Sequence, residues 1–271
     1  MVKRRTALER LLEEGYFETR EEALPYLMSG AVTCGGVVVR TGGQRVAADQ
    51  PLAVRGLNLK YVGKGGYKLE GALDDFGVEV RGRVCVDAGA CTGGFTDCLL
   101  QRGAERVYAV EVGFGQLAGT LAQNPRVVNL EKTNIGDERL LALCPTPTLG
   151  SVDLSYLSLE KAVPQFRAVL HGHGELVCLV KPLFEVDDAQ ARRTGQMDPS
   201  AYAPLLRRLA DALDAQPDTH VAAVAHSHVT GNHGTHEFFF HVRLGVPGER
   251  LTDAAIDQAV ASALALPRYR K

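Results

Sequence analysis

From residue 83 onward the chain alternates short apolar runs with longer stretches of helical spacing, and no other feature restricts its fold as strongly. The runs are Val84–Val86, Val107–Val110, Val127–Leu130, Ser151–Leu154 and Leu176–Val180. Strands buried on both faces and separated by helices predict an α/β fold with a doubly wound, mainly parallel sheet. Two more runs, Val221–Ala225 and Phe238–Leu244, lie close enough in sequence to pair antiparallel at an edge. A last amphipathic helix is expected to present Ile256, Val260 and Leu264 on one face.

The first part of the chain follows another pattern. Leu8, Leu11 and Leu12 stand at helical spacing before a stop at Gly15. Thr19 with Glu22 reads as a capping box opening a second helix that runs to Ser29-Gly30. Ala31–Thr33 and Val37–Val39 flank Cys34-Gly35-Gly36 as a hairpin, and Leu52–Val54 forms a third strand. The expected division is a small α+β unit over 1–59, a linker and the start of the catalytic domain over 60–82, and the catalytic domain over 83–271. A unit as small as the first buries little apolar area and suits a docking surface.

Thirty Lys and Arg against 32 Asp and Glu leave a formal charge of −2, so bulk electrostatics do not recruit a polyanion. A basic surface has to be local. Lys3, Arg4, Arg5, Arg10 and Arg20 form one candidate patch, extended by Lys60 and Lys64, although residues 1–59 hold eight basic and seven acidic side chains. The six cysteines form no C-x-x-C pair and read as reduced thiols. No apolar segment reaches the ~18 residues of a membrane span, and none follows the basic opening as a secretory signal requires. A cytoplasmic protein is expected.

The first catalytic-domain strand leads into Asp87-Ala88-Gly89-Ala90-Cys91-Thr92-Gly93-Gly94-Phe95. A glycine-rich turn at the carboxyl end of the first strand lets backbone approach a ligand, and the helix that follows favours an anionic group. The spacing is not the dinucleotide G-x-G-x-x-G, and the turn has no phosphate-loop lysine. Glu111, ending the second strand, is placed to accept hydrogen bonds from both hydroxyls of a ribose. Together these features favour S-adenosylmethionine over NAD. Asp87, Gly89, Ala90, Cys91, Thr92, Gly93, Gly94, Phe95 and Glu111 are the candidate cofactor residues.

Lys181 follows an apolar strand and precedes Pro182, so it projects from that strand's carboxyl end, and Asp153 ends the fourth run facing the same crevice. A lysine beside a carboxylate suits binding or deprotonating a substrate oxygen. Lys68, in Gly65-Gly66-Tyr67-Lys68-Leu69-Glu70, precedes the first strand, and Glu237 opens the last. With these motifs, Val112–Leu117, Glu131-Lys132-Thr133-Asn134, Asp153–Leu159, Leu179–Pro182 and Ser227–Phe238, the chain resembles the TlyA family, whose catalytic domain is of the FtsJ type. The resemblance implies a Rossmann-like methyltransferase sheet with a small S4-like RNA-binding domain before it. It implies methylation of a ribose 2′-hydroxyl in ribosomal RNA and a tetrad of Lys68, Asp153, Lys181 and Glu237. Val112 and Asn134, inside its motifs, join the cofactor residues. Lys181 would take the hydroxyl proton, while Lys68 and Glu237 position the hydroxyl.

The chain departs from the family pattern at Ala7-Leu8-Glu9, at Cys91, at Glu111 and in the loop from Ser227-His228 to Glu237. That region concentrates His226, His228, His233, His236 and His241, for which contacts to RNA or an exposed hairpin are expected rather than a metal. The competing functions are a methyltransferase of a small hydroxylated metabolite, a non-enzymatic RNA-binding protein, and a cytolysin. The intact tetrad argues against the second, and the missing span and signal against the third.

Overall fold

Two capping boxes open the amino-terminal unit, Thr6 with Glu9 and Thr19 with Glu22, each reciprocating between side chain and backbone. They start α1 (Ala7–Glu13) and α2 (Arg20–Met28), which follow a short β1 (Arg4–Thr6). The hairpin forms as its glycines predict, from β2 (Val32–Cys34) and β3 (Val37–Val39). After β4 (Arg45–Ala47), β5 (Leu52–Val54) pairs with the far side of β2. The pairing of β1 with β4 has no apolar alternation to announce it, since Arg-Arg-Thr is polar throughout and the apolar residues of Arg-Val-Ala are adjacent. Leu11, Phe17, Leu27, Val32 and Leu52 fill this unit's core. The computed structural model describes residues 4–266 apart from 18, 58–59, 187–190, 192–193, 195–196 and 232–234.

Within the stretch 60–82 lies α3 (Lys64–Phe76), thirteen residues long and packed on α4 (Gly94–Gln101). Its Lys64 amide donates to the Glu14 carbonyl at 3.2 Å, tying the two parts of the chain together. Then come β6 (Val84–Ala88), β7 (Arg106–Glu111), α5 (Gly119–Ala122), β8 (Val127–Glu131), β9 (Leu149–Val152) and α6 (Leu159–Val169). The chain continues through β10 (Gly174–Val180), α7 (Pro182–Glu185), α8 (Tyr202–Asp214), β11 (Thr219–His226), β12 (Phe238–Leu244) and α9 (Asp253–Ala265).

The seven strands lie in the order β11-β12-β10-β9-β6-β7-β8. Neighbours from β10 to β8 are parallel, and β12 runs antiparallel to both β10 and β11. The reversed strand is thus one in from the edge. This explains why Phe238, Phe239 and Phe240 are all buried: the first and third face α6, α8 and α9, the second faces α3 and α4. Two details differ from the sequence expectation. The fourth strand ends at Val152, leaving Asp153 just beyond it. The last helix buries Ile256, Ala259, Val260 and Ala263 and leaves Leu264 exposed, because a spacing of four drifts around a 3.6-residue helix. Among the described residues no helix is long and apolar enough to cross a membrane.

Candidate active site

The carboxyl ends of the parallel strands open onto a cleft of about 780 Å³ whose far wall is the amino-terminal unit. Gly89, Ala90, Cys91, Thr92, Gly94 and Phe95 form one side of it. Gly89 has φ +85, and a Cβ there would stand 2.1 Å from the Asp153 carbonyl oxygen, so the turn and the end of β9 approach as only glycine allows. Cys91 also adopts a left-handed conformation, at φ +47.

Asp87 requires a correction. Its carboxylate is fully buried and accepts hydrogen bonds from Thr96 Oγ1 and Ser151 Oγ, both at 2.7 Å. It holds the turn from beneath instead of facing a ligand. Burial pushes this carboxyl up to about 6, against the two hydroxyl hydrogen bonds that favour its charged form.

Glu111 reaches the turn from β7. Its Oε2 accepts from the Cys91 amide at 2.9 Å and its Oε1 from the Gly113 amide at 2.7 Å. Each oxygen keeps a further lone pair for a hydroxyl donor. Val112 is exposed beside it, and Asn134 is exposed with Oδ1 accepting from the Gly136 amide. These three lie at neighbouring strand ends, outside the cleft that holds the lysines.

The cleft brings the four tetrad candidates together. Lys68 Nζ lies 2.5 Å from Glu237 Oε2 in a buried ion pair. Lys181 pairs with Asp153 and donates to Ser155 Oγ at 2.9 Å, with the Phe184 ring centroid 5.9 Å from its Nζ. Burial alone would lower the Lys68 pKa, but Glu237 and then Asp153 outweigh it, so this ammonium holds its proton more firmly than an ordinary lysine. Lys181 is the less enclosed of the two cations and has a hydroxyl beside it.

The predicted basic patch is dispersed. Arg10 is buried, donating to the Ala47 and Gln50 carbonyls at 2.5 and 2.9 Å and pairing with Glu14, so its guanidinium is engaged within the unit. Arg5 pairs with Glu13 and Lys60 with Glu70. Lys64 borders the cleft, and Arg20 is exposed. Lys3 and the side chain of Arg4 lie outside the described residues, as does His233. Of the remaining histidines of that region, His226 stacks on His228, which meets Asp75, while His241 meets Glu175 and His236 packs edge-on to Tyr202. No group able to hold a metal ion exists among the described residues.

Sequence reasoning missed Thr96 and Ser151 beneath the turn, and Ser155 and Phe184 beside Lys181. Ser155 stands two residues past Asp153 within a motif already singled out, which was the one available signal.

Residues 61–244 match the FtsJ-like methyltransferase family. The chain is 36% identical to the 16S/23S rRNA (cytidine-2'-O)-methyltransferase TlyA of Mycobacterium tuberculosis, over 90% of this chain and 91% of that one. It is also 36% identical to YqxC of Bacillus subtilis, over 93% and 92% of the two chains. A solved Streptococcus thermophilus structure that carries a hemolysin name superposes with a TM-score of 0.78 at 33% identity, covering 97% of each chain. With the sheet order, the glycine turn and the tetrad positions in view, the chain belongs to the FtsJ-like methyltransferase family.

Proposed function

We propose that this protein is a cytoplasmic S-adenosylmethionine-dependent methyltransferase acting on a ribose 2′-hydroxyl of ribosomal RNA. The observation that carries the reading is the convergence of two lysine–carboxylate pairs, Lys68–Glu237 and Lys181–Asp153, on one cleft beside a glycine turn. The relatives named as rRNA methyltransferases support the choice of substrate.

The turn fits the cofactor on structural grounds. At Gly89 the turn's backbone closes on the Asp153 carbonyl as only glycine allows, which leaves the turn open to the cleft, and Glu111 offers carboxylate oxygens at the next strand end. Gly89–Phe95 would hold the methionine portion and Glu111 the ribose, with Val112 and Asn134 beside it; Asp87 supports the turn from below. When bound, S-adenosylmethionine supplies a methyl group on a sulfonium, an activated electrophile.

The chain's own residues do the rest. Lys181, kept in place by Asp153 and Ser155, takes the proton leaving the ribose hydroxyl as a neutral amine and becomes the ammonium that pairs with Asp153. Lys68 stays charged in its pair with Glu237 and fixes the hydroxyl's approach through a cation that does not give up its proton. Positioning of this kind accounts for much of the rate in a displacement with a good leaving group. Residues 1–59 form the RNA-docking unit, on which Arg20 is exposed, and Lys64 at the start of α3 borders the cleft next to it.

A second reading, methylation of a small hydroxylated metabolite, draws on the acidic side chains Glu13, Glu14 and Asp49 on the cleft wall. The discriminating experiment incubates the protein with radiolabelled S-adenosylmethionine and ribosomal subunits, alongside Lys181→Ala. Label in RNA with the wild type alone is expected. Calorimetric binding of the cofactor with no label in RNA would remove ribosomal RNA as the substrate.

A further inference from the structure

Lys68, Gly71 and Asp75 lie on one stripe of α3, spaced three and four residues apart. The segment between β11 and β12 meets this stripe at three points. Glu237 takes Lys68. The His228 ring lies directly over Gly71, where a Cβ would come within 2.8 Å of its Cγ. His228 Nε2 lies 2.9 Å from Asp75 Oδ2. His226 stacks on that ring, with centroids 5.1 Å apart. The same segment is closed at its base, where the Ser227 amide donates to the Glu237 carbonyl at 2.9 Å.

We propose that His228 and Asp75 are positioning residues: their contact clasps the segment to α3 and thereby sets Glu237 against Lys68. Glu237 adjoins β12 and its backbone is held by the Ser227 amide, while its carboxylate reaches across to Lys68 on α3; the His228–Asp75 contact adds a side-chain attachment to that helix beyond the ladder bond. Lys68 is fixed by a helix packed on α4. A second point of attachment two helical turns along the same stripe converts a single-point contact into a defined register. Gly71 is the saddle that permits it, because any larger residue would lift the imidazole off the helix.

The inference rests on the methyltransferase reading for its catalytic consequence, but its structural part stands apart from it. The test uses the full chain with His228→Ala, Asp75→Ala, the double variant and His228→Gln, which keeps a donor toward Asp75. Amide hydrogen exchange at Ser227 should quicken about tenfold or more in both alanine variants and stay near wild type in His228→Gln. Turnover on ribosomal subunits should fall about tenfold to a hundredfold with cofactor affinity unchanged, and the double variant should be no worse than either single one. Wild-type exchange in the alanine variants, or losses that multiply in the double variant, would overturn the clasp. Should His228→Ala not fold, Gly71→Ala displaces the ring by sterics and is read out identically. A wild-type protein that labels no RNA would defeat the ribosomal RNA reading, while the Ser227 exchange would still decide the clasp.

Discussion

Lys68 Nζ and Glu237 Oε2 lie 2.5 Å apart although 169 residues separate them in the chain. One sits on a helix before the sheet begins and the other just ahead of its last-entering strand, and both are buried. Burying two charges is costly, and their mutual attraction offsets the cost only while both are present. A buried pair beside a second, more open pair separates two jobs. On the proposed reading, Lys68 is the fixed cation and Lys181 the group that handles the proton.

Removing one member of the buried pair should therefore be far worse than removing both. Lys68→Met or Glu237→Leu alone is expected to cost about 3–5 kcal/mol in urea unfolding, and the double variant much less. The contribution of the Lys68 charge is complete below the unfolded lysine value near 10.4 and is lost as pH rises through its higher folded value. A double variant as unstable as the single ones would contradict this account.

The buried Asp87 gives an acid-side signature of opposite sense. Its folded pKa of about 6 exceeds the unfolded value near 3.9, so the native state binds a proton that the unfolded chain does not. Its ionisation thus costs stability at neutral pH, by roughly 2–3 kcal/mol, and that cost is relieved as pH falls through 6 toward 4. Asp87→Asn should be relatively more stable at pH 7.5 than at pH 5 when each is compared with wild type. An offset that does not change between the two would show that Asp87 does not titrate in this window.

Gly89→Ala places a methyl 2.1 Å from a backbone oxygen at a positive φ. The expected result is loss of S-adenosylmethionine binding by calorimetry together with destabilisation of about 1–3 kcal/mol. Unimpaired binding would mean that the turn does not hold the cofactor.

In the amino-terminal unit two arginines should behave differently. Arg20→Ala is expected to leave the fold intact and to reduce the salt dependence of RNA binding by about one counterion. Arg10→Ala removes the donor to two carbonyls and the partner of the half-buried Glu14, and should destabilise the unit as judged by thermal unfolding. Equal effects of the two on RNA affinity, with both proteins fully folded, would restore Arg10 to the binding surface.

Local chemistry in the sequence determined the elements and the approximate place of the candidate site. Thr19 with Glu22 defined a helix start, Gly35-Gly36 a hairpin, and the strand-to-glycine transition at Asp87–Gly94 a ligand turn. Lys181 could be placed at a strand's carboxyl end because an apolar run precedes it and a proline follows it. These signals are legible because they act between residues a few positions apart. The tertiary structure alone decided which long-range neighbours each polar group acquired. It turned Asp87 down onto Thr96 and Ser151, Arg10 inward onto Ala47 and Gln50, and His228 onto Asp75. It also threaded β12 between β10 and β11, bringing Glu237 to Lys68. Spacing along a chain carries no record of which distant backbone will pass within hydrogen-bonding distance. For a buried charge, that neighbour determines whether it supports the fold or does the chemistry.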